Sequence, residues 1–333
     1  MHKKTSRKKL GVCLQSEDIE NNIFFSFNVV VYIWVKCMII VICGPTGVGK
    51  TKLSVELAKR MDGEIINADS TQIYKYMDIG TAKVTKAETE GIKHHLLSFL
   101  EPNEEYTIYE YQRDARRVLN DLLDKGKTPI IVGGSNLYIK SLLYNYKLSE
   151  EKSNISINLG NEEMYNSLIN KIPNISIDKN NRRRLERAYI KYIINNEELN
   201  NDENNLVYSN VVFIGLTTSR DKLYEIINNR VDKMISGGLI KEVEDLVSKY
   251  GITRELNTAI GYKEIIKYLN GDISLEDAIS LIKKNSRHYA KRQYTWLNNK
   301  MKIIWFDVDF SNFNNTVNEV IDYIGEKQCK DIL

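Results

Sequence analysis

The stretch Val30 to Thr51, "VVYIWVKCMIIVICGPTGVGKT", runs an apolar segment straight into a glycine-rich loop that ends in lysine and threonine. The apolar part can be read as a membrane anchor, as the core of a secretory signal, or as the strand that delivers the loop. Five basic residues in Met1 to Leu10, ahead of an apolar run from Ile23, have the layout of a signal. However, Glu17, Asp18 and Glu20 intervene, the run from Ile23 to Val35 is only 13 residues with Ser26 and Asn28 inside it, and Lys36 ends it. A spanning helix needs about 20 apolar residues. To reach that length it would absorb Met38 to Cys43, the residues a phosphate loop needs as its leading strand. "MIIVIC" is therefore expected to be a buried parallel strand. Met38 is expected to open the catalytic domain and is a candidate initiator, with residues 1–37 an upstream extension of no catalytic consequence.

The loop, "GPTGVGKT", fits G-x-x-x-x-G-K-[ST] in the required strand, loop, helix order. Gly44, Pro45, Thr46, Gly47, Val48, Gly49, Lys50 and Thr51 form the expected phosphate cradle. Glycines let backbone amides turn inward, Lys50 brings a positive charge, Thr51 can ligate Mg²⁺, and the helix N-terminus adds partial positive charge. The plain alternative is a glycine-rich turn that binds nothing. The motif identifies a phosphate binder rather than a reaction. A kinase would pair it with a strand ending in an acidic residue, whereas the second strong turn here is Gly133, Gly134, Ser135.

At 333 residues, 42% hydrophobic and 27% charged, the chain has room for one large domain or two modest ones. Cys13, Cys37, Cys43 and Cys329 show neither a CxxC pair nor zinc-type spacing, which fits a reducing cytosol. The net charge of +3 comes from the first 37 residues, which hold six Lys/Arg and three Asp/Glu and leave 41 of each beyond them. A nucleic-acid partner must therefore be sought in local basic clusters.

Strand and helix patterns alternate along the chain. "GEIINADS", "TPIIVGGSN", "NVVFIGLTTS" and "KIIWFDVD" read as strands, and "TKLSVELAKRM", "YTIYEYQRDARRVLNDLLDKG" and Leu275 to Asn298 as helices. Gly237 and Gly238 are expected to break the helical stretch after Asp221. The pattern predicts an α/β fold, a P-loop NTPase-like parallel sheet flanked by helices with a small helical insertion. The expected division is 38–147 for the P-loop core, 148–205 for the Asn-rich insertion, 206–310 for the rest of the core with basic helices, and 311–333 for a tail helix.

"INADSTQIYKYMDIGTAK", Ile66 to Lys83, together with "HHLL", "IIVGGSNLY", "RRRLERA", "AIGYKE" and "AKRQYTW", resembles the tRNA dimethylallyltransferases, in consistent order over about Met38 to Asp307. The resemblance implies transfer of a dimethylallyl group from dimethylallyl diphosphate to N6 of adenosine 37 in tRNA, with Mg²⁺ as cofactor. The cradle then holds a prenyl diphosphate, which accounts for the missing acidic turn. The implied partners are the tRNA anticodon stem-loop and dimethylallyl diphosphate, without a membrane, and the default state is a cytoplasmic monomer.

By the same resemblance, Asp69 is the general base, although "ADS" after a strand can equally be a helix cap. Ser70, Thr71 and Gln72 complete the segment facing the target nucleotide, and Asp78 and Lys83 are read as structural. Ser135 stands where relatives usually carry threonine, and its hydroxyl is read as a contact to tRNA or substrate. Arg230 matches an arginine directed at the diphosphate, while Ile226 stands where relatives have a second one, which implies weaker diphosphate affinity or a substitute cation. Arg182, Arg183, Arg184 and Arg187 match a tRNA-contacting cluster that alone would read as a solvated face. "IDKNN" replaces the usual "IHPND" before it, and the segment from Ser135 to Arg183 is shorter than in most relatives. Gly261, Tyr262 and Lys263 match another tRNA-contacting segment, with Tyr262 either stacking or packing. Lys283, Arg287 and Lys291, beside Lys284, His288 and Arg292, are expected to form a basic stripe on one helix, capped by Gln293, Thr295 and Trp296. Three readings compete: a prenyltransferase acting on free AMP, ADP or ATP, a small-molecule kinase, and a catalytically silent RNA-binding protein.

Overall fold

The structure, a computed structural model, describes residues 38–146, 148, 155, 157–197 and 204–332, so the expected extension over 1–37 lies outside the described residues. Six strands form one sheet: β1 (Ile39–Cys43), β2 (Gly63–Asn67), β3 (His94–His95), β4 (Thr128–Val132), β5 (Val211–Thr217) and β6 (Ile304–Asp307). Their order is β3-β2-β4-β1-β5-β6 and every pairing is parallel. All five residues of β1 and of β4 are buried, as are the first six of β5. A parallel sheet covered on both faces has no wet side, and for this reason "IIVIC" and "TPIIV" carry no alternation. The stretch beside the loop is thus the strand of the three readings, and among the described residues no helix is long and apolar enough to cross a membrane.

The helices are α1 (Lys50–Arg60), α2 (Ile108–Asp124), α3 (Asn136–Leu143), α4 (Asn161–Lys171), α5 (Arg182–Tyr189), α6 (Arg220–Ser236), α7 (Leu239–Tyr250), α8 (Arg254–Thr258), α9 (Tyr262–Leu269), α10 (Leu275–Lys300) and α11 (Phe313–Ile332). The main core joins Ile40, Ile42 and Ile214 of the sheet to Leu53 and Leu57 of α1, Leu223 and Ile227 of α6, and Val317, Val320 and Ile324 of α11. Helices start where the sequence offers caps. The Ser219 hydroxyl accepts from Lys222 N and the Ser274 hydroxyl from Asp277 N. The break between α6 and α7 falls at Gly237 and Gly238, as expected.

The chain divides into two compact units. The first takes residues up to Glu104, Arg117–Asn136 and the chain from Asn210 on, and it contains the whole sheet. The second consists of Glu105–Arg116 and Leu137–Ser209, so it spans the expected 148–205 insertion and also draws on the start of α2 and nearly all of α3. Within it, Tyr111 stacks on Tyr138 with ring centroids 3.8 Å apart. Arg116 donates to the carbonyls of Ser141, Leu142 and Tyr144, closing the last turn of α3. Its small separate core is Met164, Leu168 and Leu185.

Candidate active site

In a parallel α/β sheet, ligands meet the carboxyl ends of the strands. Here the loop after β1 carries Gly44 to Thr51, the turn after β2 carries Asp69, and the turn after β4 carries Gly133 to Ser135. β1 is hydrogen-bonded to β4 and β4 to β2, so these three turns are neighbours by topology.

Gly49 begins α1 at φ +92, and a Cβ there would lie 2.7 Å from the Phe313 ring at the start of α11, so only glycine serves. On the other side, Ile226 of α6 lies directly against Gly47. Lys50 donates to the carbonyls of Gly44 at 3.0 Å and Pro45 at 2.7 Å, which holds the ammonium over its own loop. Burial pulls its pKa down to about 8, Arg230 adds to the fall, and Asp69 and Cys43 oppose it. Burial likewise lowers the Arg230 guanidinium, against Asp69 and Glu88. Lys50, Arg230 and Asp69 therefore share one electrostatic field, with two cations beside one carboxylate. Cys43 is buried and its thiol pushed up to about 12, so it is inert.

Asp69 Oδ1 accepts from Thr71 N at 3.0 Å and from Thr71 Oγ1 at 2.7 Å, while the Asp69 N–H donates to Asn67 Oδ1. One oxygen thus fixes the carboxylate, and the other, Oδ2, faces Gly134. A Cβ on Gly134 would lie 2.9 Å from Oδ2 and 2.9 Å from Gln293 Nε2, so the turn after β4 can press on the carboxylate only as glycine. Ser135 Oγ accepts from Ser70 N at 2.9 Å and donates to Ser70 Oγ at 2.9 Å. The serine expected to meet substrate therefore joins the two turns through its hydroxyl.

The loop that follows is stapled to the fold. Gln72 Nε2 donates to Thr81 O at 3.2 Å, and Arg230 Nη2 donates to the same carbonyl at 3.4 Å. Asp78 and Lys83 pair at 2.6 Å, in keeping with their structural reading. Glu242 of α7 accepts the N–H groups of Asp78, Ile79 and Gly80 at 2.7 to 3.0 Å, and the Tyr262 hydroxyl at 2.6 Å. Three successive amides around one carboxylate form an anion nest filled from within the protein. Tyr262 is fully buried and its ring lies against Gly80, so of the two readings for it, packing is the one its surroundings describe. The Gly261 N–H donates to Glu264, and Lys263 lies 3.7 Å from the same carboxylate. Glu242→Ala is expected to cost about 3 kcal/mol or more of stability, and Tyr262→Phe, which leaves the amides bound, about 1 kcal/mol. Urea unfolding measures both.

The basic stripe on α10 divides. Lys283 pairs with Asp232 at 2.6 Å and Arg287 donates to Asn228 at 2.6 Å, so these two turn to α6, and Lys284, His288, Lys291 and Arg292 remain exposed. Gln293, expected as a surface cap, is 2% exposed instead. Its Oε1 accepts from Thr46 N at 3.2 Å and its Nε2 donates to Gly134 O at 2.9 Å. The Tyr289 hydroxyl donates to the same carbonyl at 2.9 Å, and burial beside Asp69 holds that phenol above its usual pKa. Spacing could have found Gln293, because it shares a helical face with the buried Ala290 and Leu297.

In the second unit, Asn181 caps α5 by accepting from Arg184 N, so the "IDKNN" departure still starts a helix. Arg182 donates to Glu186 and to the carbonyls of Ile157 and Leu159. It is a structural residue. Arg183, Arg184 and Arg187 are exposed while Leu185 between them is buried.

Comparisons bear on this site. The IPP transferase family matches residues 72–300. A tRNA dimethylallyltransferase of Anoxybacillus flavithermus is 46% identical over 87% of this chain and 96% of its own. A tRNA delta(2)-isopentenylpyrophosphate transferase from Staphylococcus epidermidis has a solved structure that superposes with a TM-score of 0.67 at 38% identity, covering 87% of this chain and 99% of that one. A eukaryotic dimethylallyltransferase acting on tRNA superposes at 0.71 with 28% identity, over 85% and 77%.

Proposed function

Because this chain belongs to the IPP transferase family, we propose that it transfers a dimethylallyl group from dimethylallyl diphosphate to N6 of adenosine 37 in tRNA, releasing diphosphate. The observation that carries this reading is the meeting of a phosphate cradle and a fixed carboxylate at the carboxyl ends of the interior strands β1 and β2, Lys50 and Asp69 acting on each other there. As the new C–N bond forms, the C–O bond of the donor breaks and its electron pair leaves with diphosphate. Lys50, Arg230 and the loop amides face the charge that develops on the leaving group. An exocyclic amine conjugated with adenine is a weak nucleophile, so Asp69 Oδ2 takes its proton as the bond forms. The target base leaves the anticodon loop to reach the carboxylate, at low cost because the loop is already single-stranded.

Mg²⁺ suits Thr51, an exposed hydroxyl in the first turn of α1, since this ion takes few protein oxygens and keeps water and substrate phosphates. When bound it neutralises charge on the leaving diphosphate. The exposed Arg183, Arg184 and Arg187 are assigned to tRNA phosphates. For the double variant Arg183→Ala/Arg184→Ala, the slope of log affinity against log salt is expected to flatten by about 0.7 to 0.9 for each phosphate that the protein no longer neutralises. Filter binding across a salt series measures it.

The deciding experiment offers labelled dimethylallyl diphosphate with Mg²⁺ to unmodified tRNA and, in parallel, to AMP and ATP. Label in tRNA, abolished when adenosine 37 is replaced by guanosine, is expected. Label in the free nucleotides, or in neither, would overturn the reading.

A further inference from the structure

Gln293 joins two parts of the site that the chain otherwise brings from different strands. Its Oε1 accepts the Thr46 N–H of the phosphate loop after β1, at 3.2 Å, and its Nε2 donates to Gly134 O in the turn after β4, at 2.9 Å. That turn is pressed against Asp69 Oδ2, since any Cβ on Gly134 would lie 2.9 Å from both the carboxylate oxygen and Nε2. The Asn136 side chain donates to the Gln293 carbonyl at 3.4 Å and so braces its backbone as well. A buried carboxamide is the neutral side chain that can accept at one end and donate at the other. Leucine fills the space and makes neither bond. Glutamate keeps the acceptor, loses the donor, and sets a negative charge beside a site for diphosphate.

We propose that Gln293 is a positioning residue that sets the distance between the leaving-group cradle and the proton acceptor, through the contact sequence Thr46, Gln293, Gly134, Asp69. Resting on the reading above, this assigns the register of the two substrates to α10, a helix whose surface suggests only a partner for RNA. Displacements of about 1 Å at a reacting centre are worth about 100-fold in rate, which is the scale on which such a tie acts.

The test is Gln293→Leu, alone and combined with Asp69→Asn, with kcat and both KM values followed together. The single variant is expected to lower kcat by about 10- to 100-fold with the tRNA KM unchanged. In the Asp69→Asn background the same substitution is expected to cost less than about 3-fold, because groups that act as a unit are not additive. Equal losses in both backgrounds, a loss confined to tRNA affinity, or a kcat within about 3-fold of the parent would overturn the inference. Should Gln293→Leu fail to fold, Gln293→Met in the same cycle decides on the same terms. If the parent itself prenylates nothing, the function reading falls on its own, and affinity for inorganic diphosphate judges Gln293 separately. Weakening of about 3-fold or more upon Gln293→Leu supports the tie to the loop, since a preorganised cradle binds best, and unchanged or tighter binding overturns it.

Discussion

Asp69→Asn is expected to lower kcat for prenyl transfer by about 10²- to 10⁴-fold, the range general-base catalysis contributes. The amide keeps the shape of the carboxylate, and its Oδ1 can still accept from the Thr71 N–H and hydroxyl, so the turn keeps its form. What disappears is the capacity of the second oxygen, against Gly134, to take a proton. The affinity for tRNA should stay within a few-fold, because the exposed arginines of α5 and the exposed cations of α10 are untouched. Single-turnover transfer and tRNA binding measured on the same preparation separate the two quantities. A parallel loss of binding would turn Asp69 into a substrate-holding residue and remove it from the chemistry.

Lys50→Met is expected to reduce kcat/KM for dimethylallyl diphosphate by about 10²- to 10³-fold, as for a donor aimed at developing charge. An ammonium has three donors, and Lys50 spends two on Gly44 O and Pro45 O, which leaves the third for phosphate. The same residue predicts a pH dependence. Its pKa lies near 8 in the free protein because burial and Arg230 disfavour its charge. Diphosphate binding needs the protonated form, so the affinity that depends on this charge is fully present below pH 8. It should fall towards about tenfold per unit as pH rises beyond that value, until the pKa of the complex is reached. Calorimetric titration of inorganic diphosphate from pH 6.5 to 9.5 tests the sign, and a flat profile, or one that rises with pH, contradicts it. In Lys50→Met the dependence should vanish with the affinity.

The sheet and its loop were legible because each rests on a local rule: uninterrupted apolar runs for strands buried on both faces, and a glycine pattern that backbone sterics demand. Lys50 was legible for the same reason, as a fixed position of the glycine pattern, whereas Asp69, two residues past β2, took its role only from the family resemblance, since the local signal reads equally as a helix cap. Gln293 was not, since a neutral residue among lysines and arginines reads as part of a wet face. Only the helical phase that it shares with Ala290 and Leu297 shows otherwise. The spacing of Lys283 and Arg287 promised a shared face correctly but could not say that α6 supplies Asp232 and Asn228 to meet it. Glu242 was silent for a further reason. A carboxylate on an amphipathic helix looks solvated, and the three amides that it binds lie more than 160 residues away in the chain.

The cradle's neighbours also set when it can exist. Ile226, Gln293 and Phe313 flank Gly47, Thr46 and Gly49, and they leave the ribosome long after the loop does. At about 5 to 20 residues per second the last of them follows the loop by roughly ten to fifty seconds. Until Phe313 emerges the nascent chain displays the complete "GPTGVGKT" without its full set of flanking side chains, and β6 and α11 are the last strand and the last helix to be made. The complete surroundings of the loop therefore arrive late in synthesis, and a fragment that carries the motif but stops short of Phe313 lacks the ring that packs on Gly49.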